Sequence, residues 1–173
     1  TATCIRRMAE PDTGPGGTPP SILVRSARLD ELSLLLEFEQ GIITAERPYD
    51  HTLKPEPISY YDIGERIESD DAEVAVVEVD GLVVASGYAE KKPSKHYIRE
   101  AHHAFLGFMF VRPEYRGQGL NKVLLDYLFV WAKSKGLPEI RLTVYSTNEP
   151  AIRAYEKAGF SPCITEMRLN LDE

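Results

Sequence analysis

Cysteine is scarce in this 173-residue chain: there are two, Cys4 and Cys163, at opposite ends. They share no motif spacing with each other or with the four histidines, which argues against a disulfide framework and a zinc cluster. We therefore expect reduced thiols, no metal and a cytoplasmic protein. Long apolar runs are missing too. The longest candidate, Val123 to Ala132, is broken by Asp126 and falls short of the roughly 18 residues of a membrane span. Arg6 and Arg7 are not followed by an apolar stretch, so the first twenty residues do not read as a secretory leader. Positive charge is in deficit as well. Twenty Lys+Arg face 27 Asp+Glu, a net −7, which argues against a general nucleic-acid binder, since such proteins meet phosphate with a basic surface. There are no internal repeats.

What is present is the composition of a folded soluble protein, 43% hydrophobic and 27% charged. At about 150 residues per domain the length suits one domain. The Pro/Gly density of Thr13 to Pro20 marks 1–20 as a flexible tail and 21–173 as the domain. Charge divides this domain. Residues 30–73 carry thirteen acidic and three basic groups, net −10, whereas 91–173 carry nine and thirteen, net +4. Two chemically different ligands meeting on one domain would produce such a split, and so would solvated helix faces.

Periodicity orders the elements. Ile22-Leu23-Val24 reads as a strand, and Asp30 caps a helix with Leu32, Leu35, Leu36 and Glu39 on one face. Residues 41–58 read as loop, with a short helix within Ile58 to Ile67. Glu73 to Val79 and Leu82 to Ala89 flank Asp80-Gly81, a hairpin signal. A polar connection, Lys91 to His102, leads to the apolar strand Ala104 to Val111. The stripe Leu120, Val123, Leu124, Tyr127, Leu128 and Trp131 is a helix ended by Gly136 and Pro138. Ile140, Leu142 and Val144 alternate as a strand. Asn148 caps a helix with Pro150 in its first turn and Gly159 beyond its end, and a strand pair over Pro162 to Leu171 closes the chain. The fold class is α/β in the α+β sense, a mixed, mostly antiparallel central sheet flanked by helices.

The densest chemical signal joins the apolar strand to the stripe helix: Arg116-Gly117-Gln118-Gly119-Leu120-Asn121-Lys122. Glycines one residue apart permit a tight turn that leaves helix-start N–H groups pointing outward, a phosphate-binding arrangement. It is neither a P-loop nor a dinucleotide fingerprint, because the spacings of those motifs are absent. This segment resembles the pyrophosphate loop of the GNAT superfamily of acyl-CoA-dependent N-acetyltransferases, Arg/Gln-x-x-Gly-x-Gly/Ala, with Asn121 in place of the final small residue. The run from Asn148 to Phe160 is similar to the family's Asn-x-x-Ala-x-x-x-Tyr-x-x-x-Gly-Phe segment at every defined position.

The resemblance implies a GNAT-like fold with acetyl-CoA as co-substrate. It implies that Arg116 to Lys122 hold the pyrophosphate, that Met109, Phe110 and Val111 pair with the pantetheine arm, and that Asn148 also serves this site. It further implies Tyr155 as the general acid for the leaving thiolate. A phenol, with a reference pKa of about 10, suits that task. An alkylamine acceptor, mostly protonated at neutral pH, needs a proton acceptor. His103 stands thirteen residues before Arg116, where some family members place a glutamate, and imidazole is a suitable base. Thr143, where other members carry a glutamate, cannot serve. Glu39 and Glu46 are candidates on charge alone. Cys163 reads as a core residue, since direct transfer needs no thiol nucleophile. Lys91, Lys92, Lys95 and Arg99 read as solvated loop, with contact to the 3′-phosphate of CoA as an alternative.

The expected reaction is acetyl transfer to a primary amine, a small cationic amine being favoured by the acidic half. A protein N-terminus or lysine is the alternative acceptor, and a non-catalytic acyl-CoA-binding regulatory module the alternative in another class. A homodimer is left open, with neither nucleic acid nor membrane as a partner.

Overall fold

The computed structural model describes residues 19–55 and 57–171. They fall into two compact units that meet at Thr143/Val144 in sequence. The tail read over 1–20 lies, up to residue 18, outside the described residues.

The first unit is built on a five-stranded sheet in chain order: β1 (Ile22–Ser26), β2 (Ala72–Val79), β3 (Leu82–Pro93), β4 (His102–Val111) and β5 (Ile140–Arg141). Neighbours from β1 to β4 are antiparallel; β4 and β5 are parallel. Asp80 and Gly81 both adopt positive φ, the requirement that makes Asp-Gly a tight hairpin turn. Helix α1 (Leu32–Glu46) and helix α2 (Ile63–Glu68) precede β2, and α3 (Leu120–Ser134) follows β4.

Two local expectations for α1 fail. Asp30 is not its cap but lies inside a 3₁₀ turn, Leu29–Glu31, and the Glu31 carboxylate instead accepts from the Arg28 backbone N–H at 2.8 Å. The helix also runs through 41–46, which read as loop. Ile42 and Ile43 are buried and continue the apolar face of Leu35 and Phe38, so tertiary packing outweighs the low helix propensity of Gly41. Gly41 has a second reason. A Cβ there would lie 2.6 Å from Cε2 of Phe110, so the absent side chain lets α1 close onto β4. Helix α2 follows its signal, with Asp62 Oδ1 capping the Glu65 N–H at 3.0 Å.

The two faces of the sheet carry different cores. Leu35, Phe38 and Ile42 of α1 pack with Ile63, Val74, Val76, Tyr88 and Phe108, while Ala104 packs with Ala132 and Leu137 at the α3 end. β5 is shorter than read. It pairs only as Ala104↔Ile140 and Phe105↔Arg141, so Leu142 and Val144 do not extend it.

In the second unit, α4 (Glu149–Lys157) is capped as read: Asn148 Oδ1 accepts from the Ala151 N–H at 3.3 Å, and Gly159 leaves the helix at φ +99°. The strand pair over 162–171 is not formed. Among the described residues no strand follows α4, and Cys163, read as core, is exposed.

Candidate active site

Strand β4 is regular up to Gly107 and then breaks step. Tyr88 pairs with Gly107 but Ser86 with Phe110, so Phe108 and Met109 together oppose Gly87. This is a β-bulge, and Phe108 pays for it with a left-handed backbone, φ +58°. An extra residue inverts the side-chain alternation. Ala104 packs at the α3 end, whereas Phe108 joins the α1 core and Met109 approaches Gly87 and Leu124 of α3. The inversion directs both Phe108 and Phe110 at α1, where the Phe38 and Phe110 ring centroids lie 4.7 Å apart. Among the described residues β4 has no strand partner on its β5 side past Phe105, so the backbone of Leu106 to Val111 is unpaired by any strand along that edge. Met109, Phe110 and Val111 lie on that edge.

The chain leaves β4 through a 3₁₀ turn, Pro113–Tyr115, and enters α3 through Arg116-Gly117-Gln118-Gly119. Gly117 and Gly119 sit at φ +76° and +77°, a region costly for any side chain. Nothing lies within 4 Å of a Cβ built on either one, so the loop surface is open for a ligand to approach. Arg116 Nε donates to the Val111 carbonyl at 3.1 Å, tying the loop to the end of β4. The first helical bonds come from the N–H groups of Lys122 and Val123 to the Gly119 carbonyl. Among the described residues, the N–H groups of Gly117 through Asn121 have no acceptor. Five free donors at the positive end of a fifteen-residue helix favour negative charge there.

His103 lies near the other end of β4, opposite Lys92, and is 7% exposed. Burial, with Arg141 nearby, holds its pKa below the ordinary imidazole value, so it is neutral at pH 7. Its Nδ1 is 3.0 Å from Ser94 Oγ. If the ring is to accept a proton at Nε2, Nδ1 must carry the hydrogen and donate it to that hydroxyl. At about 3.3 Å per residue, the five positions from His103 to Phe108 span about 17 Å. The Lys91, Lys92, Lys95 and Arg99 group sits at this same hairpin end. It is separated from the Arg116 loop by the ten-residue length of β4.

Helix α4 carries both of its expected residues. Asn148 caps the helix, and the Tyr155 ring lies 5.8 Å from Phe160 in an edge-to-face contact.

A group missed in the sequence lies beside the bulge. Tyr61 stands edge-to-face to Phe108, Tyr88 and Tyr60, with centroid separations of 5.9, 5.4 and 5.7 Å. Burial pushes its phenol pKa well above the usual value, with the nearby Phe108 backbone working against the shift. Tyr88 is raised too, chiefly by burial, with the Arg66 guanidinium 4.8 Å above its ring working against the shift. Glu39, only 1% exposed, holds the segment in place: its Oε1 accepts from the Tyr60 and Tyr61 N–H groups at 2.7 and 2.8 Å, and Ser59 Oγ donates to both carboxylate oxygens at 3.1 Å. Glu46, at the end of α1, is half-buried; burial raises its carboxyl pKa and the Tyr60 phenol partly offsets this. The adjacent tyrosines were the one signal in the sequence for this group.

Comparison with known proteins agrees with this geometry. Residues 39–160 match the family model described as the acetyltransferase (GNAT) family. A mycothiol acetyltransferase from Actinosynnema mirum is 34% identical over 87 residues, covering 49% of this chain; the match spans only 29% of that longer protein. Among solved structures, a variant of the BH1408 protein from Bacillus halodurans superposes with a TM-score of 0.76 at 15% identity, over 86% of this chain and 98% of that one. A predicted acetyltransferase from Clostridium acetobutylicum, determined with acetyl-CoA, gives 0.64 at 19% identity, over 87% and 96%. Glucosamine-6-phosphate N-acetyltransferase from Arabidopsis thaliana gives 0.61 at 20%, over 87% and 99%. These structures share the fold, and the family match extends from Glu39 on α1 to Phe160 after α4, so the chain belongs to the GNAT acetyltransferase family.

Proposed function

We propose that this protein transfers the acetyl group of acetyl-CoA directly to the primary amine of a small cationic acceptor. The observation that carries the reading is the run of five free N–H groups from Gly117 to Asn121, which suits a pyrophosphate. The residues present fit the rest of the co-substrate as well. The open edge of β4 at Met109, Phe110 and Val111 matches an extended amide-bearing arm, and Arg116, Gln118, Leu120 and Lys122 complete the cradle.

In this reading the neutral amine adds to the thioester carbonyl, whose developing oxyanion is stabilised by backbone N–H groups near Phe110. The carbon–sulfur bond then breaks, and Tyr155 protonates the thiolate while Asn148 contributes to the cofactor side. His103 accepts the amine proton; its distance along β4 means that water carries the proton there. The proton taken up by His103 returns through water to the Tyr155 phenolate, so the one proton released per acetyl group is that which an ammonium acceptor loses to become the neutral amine.

Thiol release from acetyl-CoA across a panel of amines, basic peptides and protein N-termini tests the proposal. Cationic small amines should be the best acceptors. Affinity for acetyl-CoA without thiol release for any acceptor would instead make the protein a binding module. Tyr155→Phe should lower kcat by about a hundredfold, at the lower end for general acid catalysis, with acetyl-CoA affinity unchanged. Unaltered turnover would remove Tyr155 from the chemistry.

A further inference from the structure

Among the described residues three polar side chains are buried: Glu39, Ser86 and His103. Glu39 holds the backbone of Tyr60 and Tyr61, and His103 Nδ1 meets Ser94 Oγ. Ser86 stands at the bulge instead. It lies on β3, wholly withdrawn from solvent, and its hydroxyl donates to the Phe108 carbonyl at 3.4 Å. A buried hydroxyl needs an acceptor. This one belongs to the residue of β4 whose backbone is left-handed, φ +58°, a conformation that glycine ordinarily supplies at a bulge and that strains a side chain.

The link has a directional consequence. The Phe108 ring is 1% exposed and stands edge-to-face to Tyr61, so packing restrains the side chain. The tilt of the following peptide is a separate torsion, ψ of Phe108. That peptide is planar and trans, so its two polar groups, the Phe108 C=O and the Met109 N–H, point in opposite directions and turn as one body. Holding the carbonyl toward Ser86 on β3 turns the Met109 N–H away from β3, to the edge of β4 that no strand covers among the described residues. The β3 ladder is out of step at this point, since Phe108 and Met109 together oppose Gly87, and the side-chain bond adds a constraint of its own.

We propose that Ser86 is a positioning residue for acyl transfer: its hydroxyl, by holding the Phe108 carbonyl, aims the Met109 N–H at the thioester oxygen. The assignment rests on the acyl-transfer reading above and narrows it, because it selects one donor among the backbone N–H groups near Phe110. A donor fixed in advance toward the developing oxyanion needs no reorganisation during the reaction. Without the hydroxyl the peptide can rock about ψ. The donor remains but is no longer aimed, and the loss falls on the step where negative charge develops and not on binding.

Two readouts test this. In thiol-release kinetics Ser86→Ala should lower kcat about ten- to a hundredfold, short of the loss of a whole oxyanion donor, with acetyl-CoA affinity by calorimetry unchanged. Ser86→Thr keeps the hydroxyl and should restore most of kcat, whereas Ser86→Cys, close to serine in shape but a weak donor, should resemble Ser86→Ala. A packing role gives the reverse order, with Cys restoring kcat and Thr, which adds a methyl group in a closed space, failing to do so; that order overturns the proposal. If Ser86→Ala does not fold, the Thr and Cys variants carry the comparison. The second readout needs no turnover. In infrared difference spectra of acetyl-CoA labelled at the acetyl carbonyl, the thioester stretch should fall on binding to the unaltered protein and to Ser86→Thr, and return toward its free value in Ser86→Ala and Ser86→Cys at saturation. An unchanged kcat with an unchanged carbonyl frequency in Ser86→Ala refutes the positioning role and leaves acyl transfer intact. A lowered frequency that depends on Ser86, with no thiol release to any amine, refutes acyl transfer and leaves the aimed N–H standing.

Discussion

Replacing Glu39 with alanine removes the acceptor for three donors at once. Two of them, the Tyr60 and Tyr61 N–H groups, are backbone and cannot turn away. Each buried N–H left unsatisfied costs about 1–3 kcal/mol, or about 2–6 kcal/mol for the pair. Against this, the variant no longer buries an ionised carboxylate, which recovers part of that group's desolvation cost. The net expectation is a loss of about 2–4 kcal/mol of stability. Glu39→Gln keeps a carbonyl oxygen where Oε1 sits and converts charge-assisted bonds into neutral ones, so its cost should be about 1–2 kcal/mol. Urea unfolding at pH 7 reads both values as shifts in midpoint at constant m. An Ala variant within about 1 kcal/mol of the unaltered protein, or a Gln variant as damaged as the Ala variant, would refute the assignment of Glu39 as the anchor.

The remaining predictions concern the loop glycines and the Glu46 carboxyl. Gly119→Ala must place a Cβ at φ +77°, which costs about 1–2 kcal/mol in thermal unfolding and should weaken acetyl-CoA binding by calorimetry; Gly117→Ala, at φ +76°, should behave alike. For Glu46 the folded-state carboxyl pKa is raised, so its favourable contribution to stability is complete below the unfolded value of about 4.3 and is lost as pH rises through the folded one. Glu46→Gln should therefore be more stable than the unaltered protein at pH 7, with the advantage narrowing toward pH 4.5. Urea midpoints at the two values check this, and a constant difference would show that the carboxyl is not perturbed.

Several features were legible because they depend on local backbone chemistry. Gly117 and Gly119 announce positive φ wherever they stand, Asn148 caps the nearest helix start, and Asp80-Gly81 turns a hairpin with no help from the core. Features that depend on residues distant in sequence were not. The bulge at Phe108 lies inside a run of apolar residues with no turn signal. Its cause is the register against β3, where Gly107 must make room for the Tyr88 ring: a Cβ at Gly107 would lie 2.4 Å from the Tyr88 hydroxyl. The alternation of Leu142 and Val144 suggested a longer β5, but a strand exists only where a neighbour completes its hydrogen bonds, and the pairing with β4 ends at Arg141.

Charge shows the division most directly. The sequence alone determined that residues 30–73 are acidic and that a Gly-x-Gly turn opens a helix in the basic remainder, because counts and short motifs are properties of the chain itself. Only the tertiary structure decided which acids matter. Burial and hydrogen-bond partners are set by segments far apart in the chain, and they make Glu39 a structural anchor and leave Arg25 to Glu31 and Glu78.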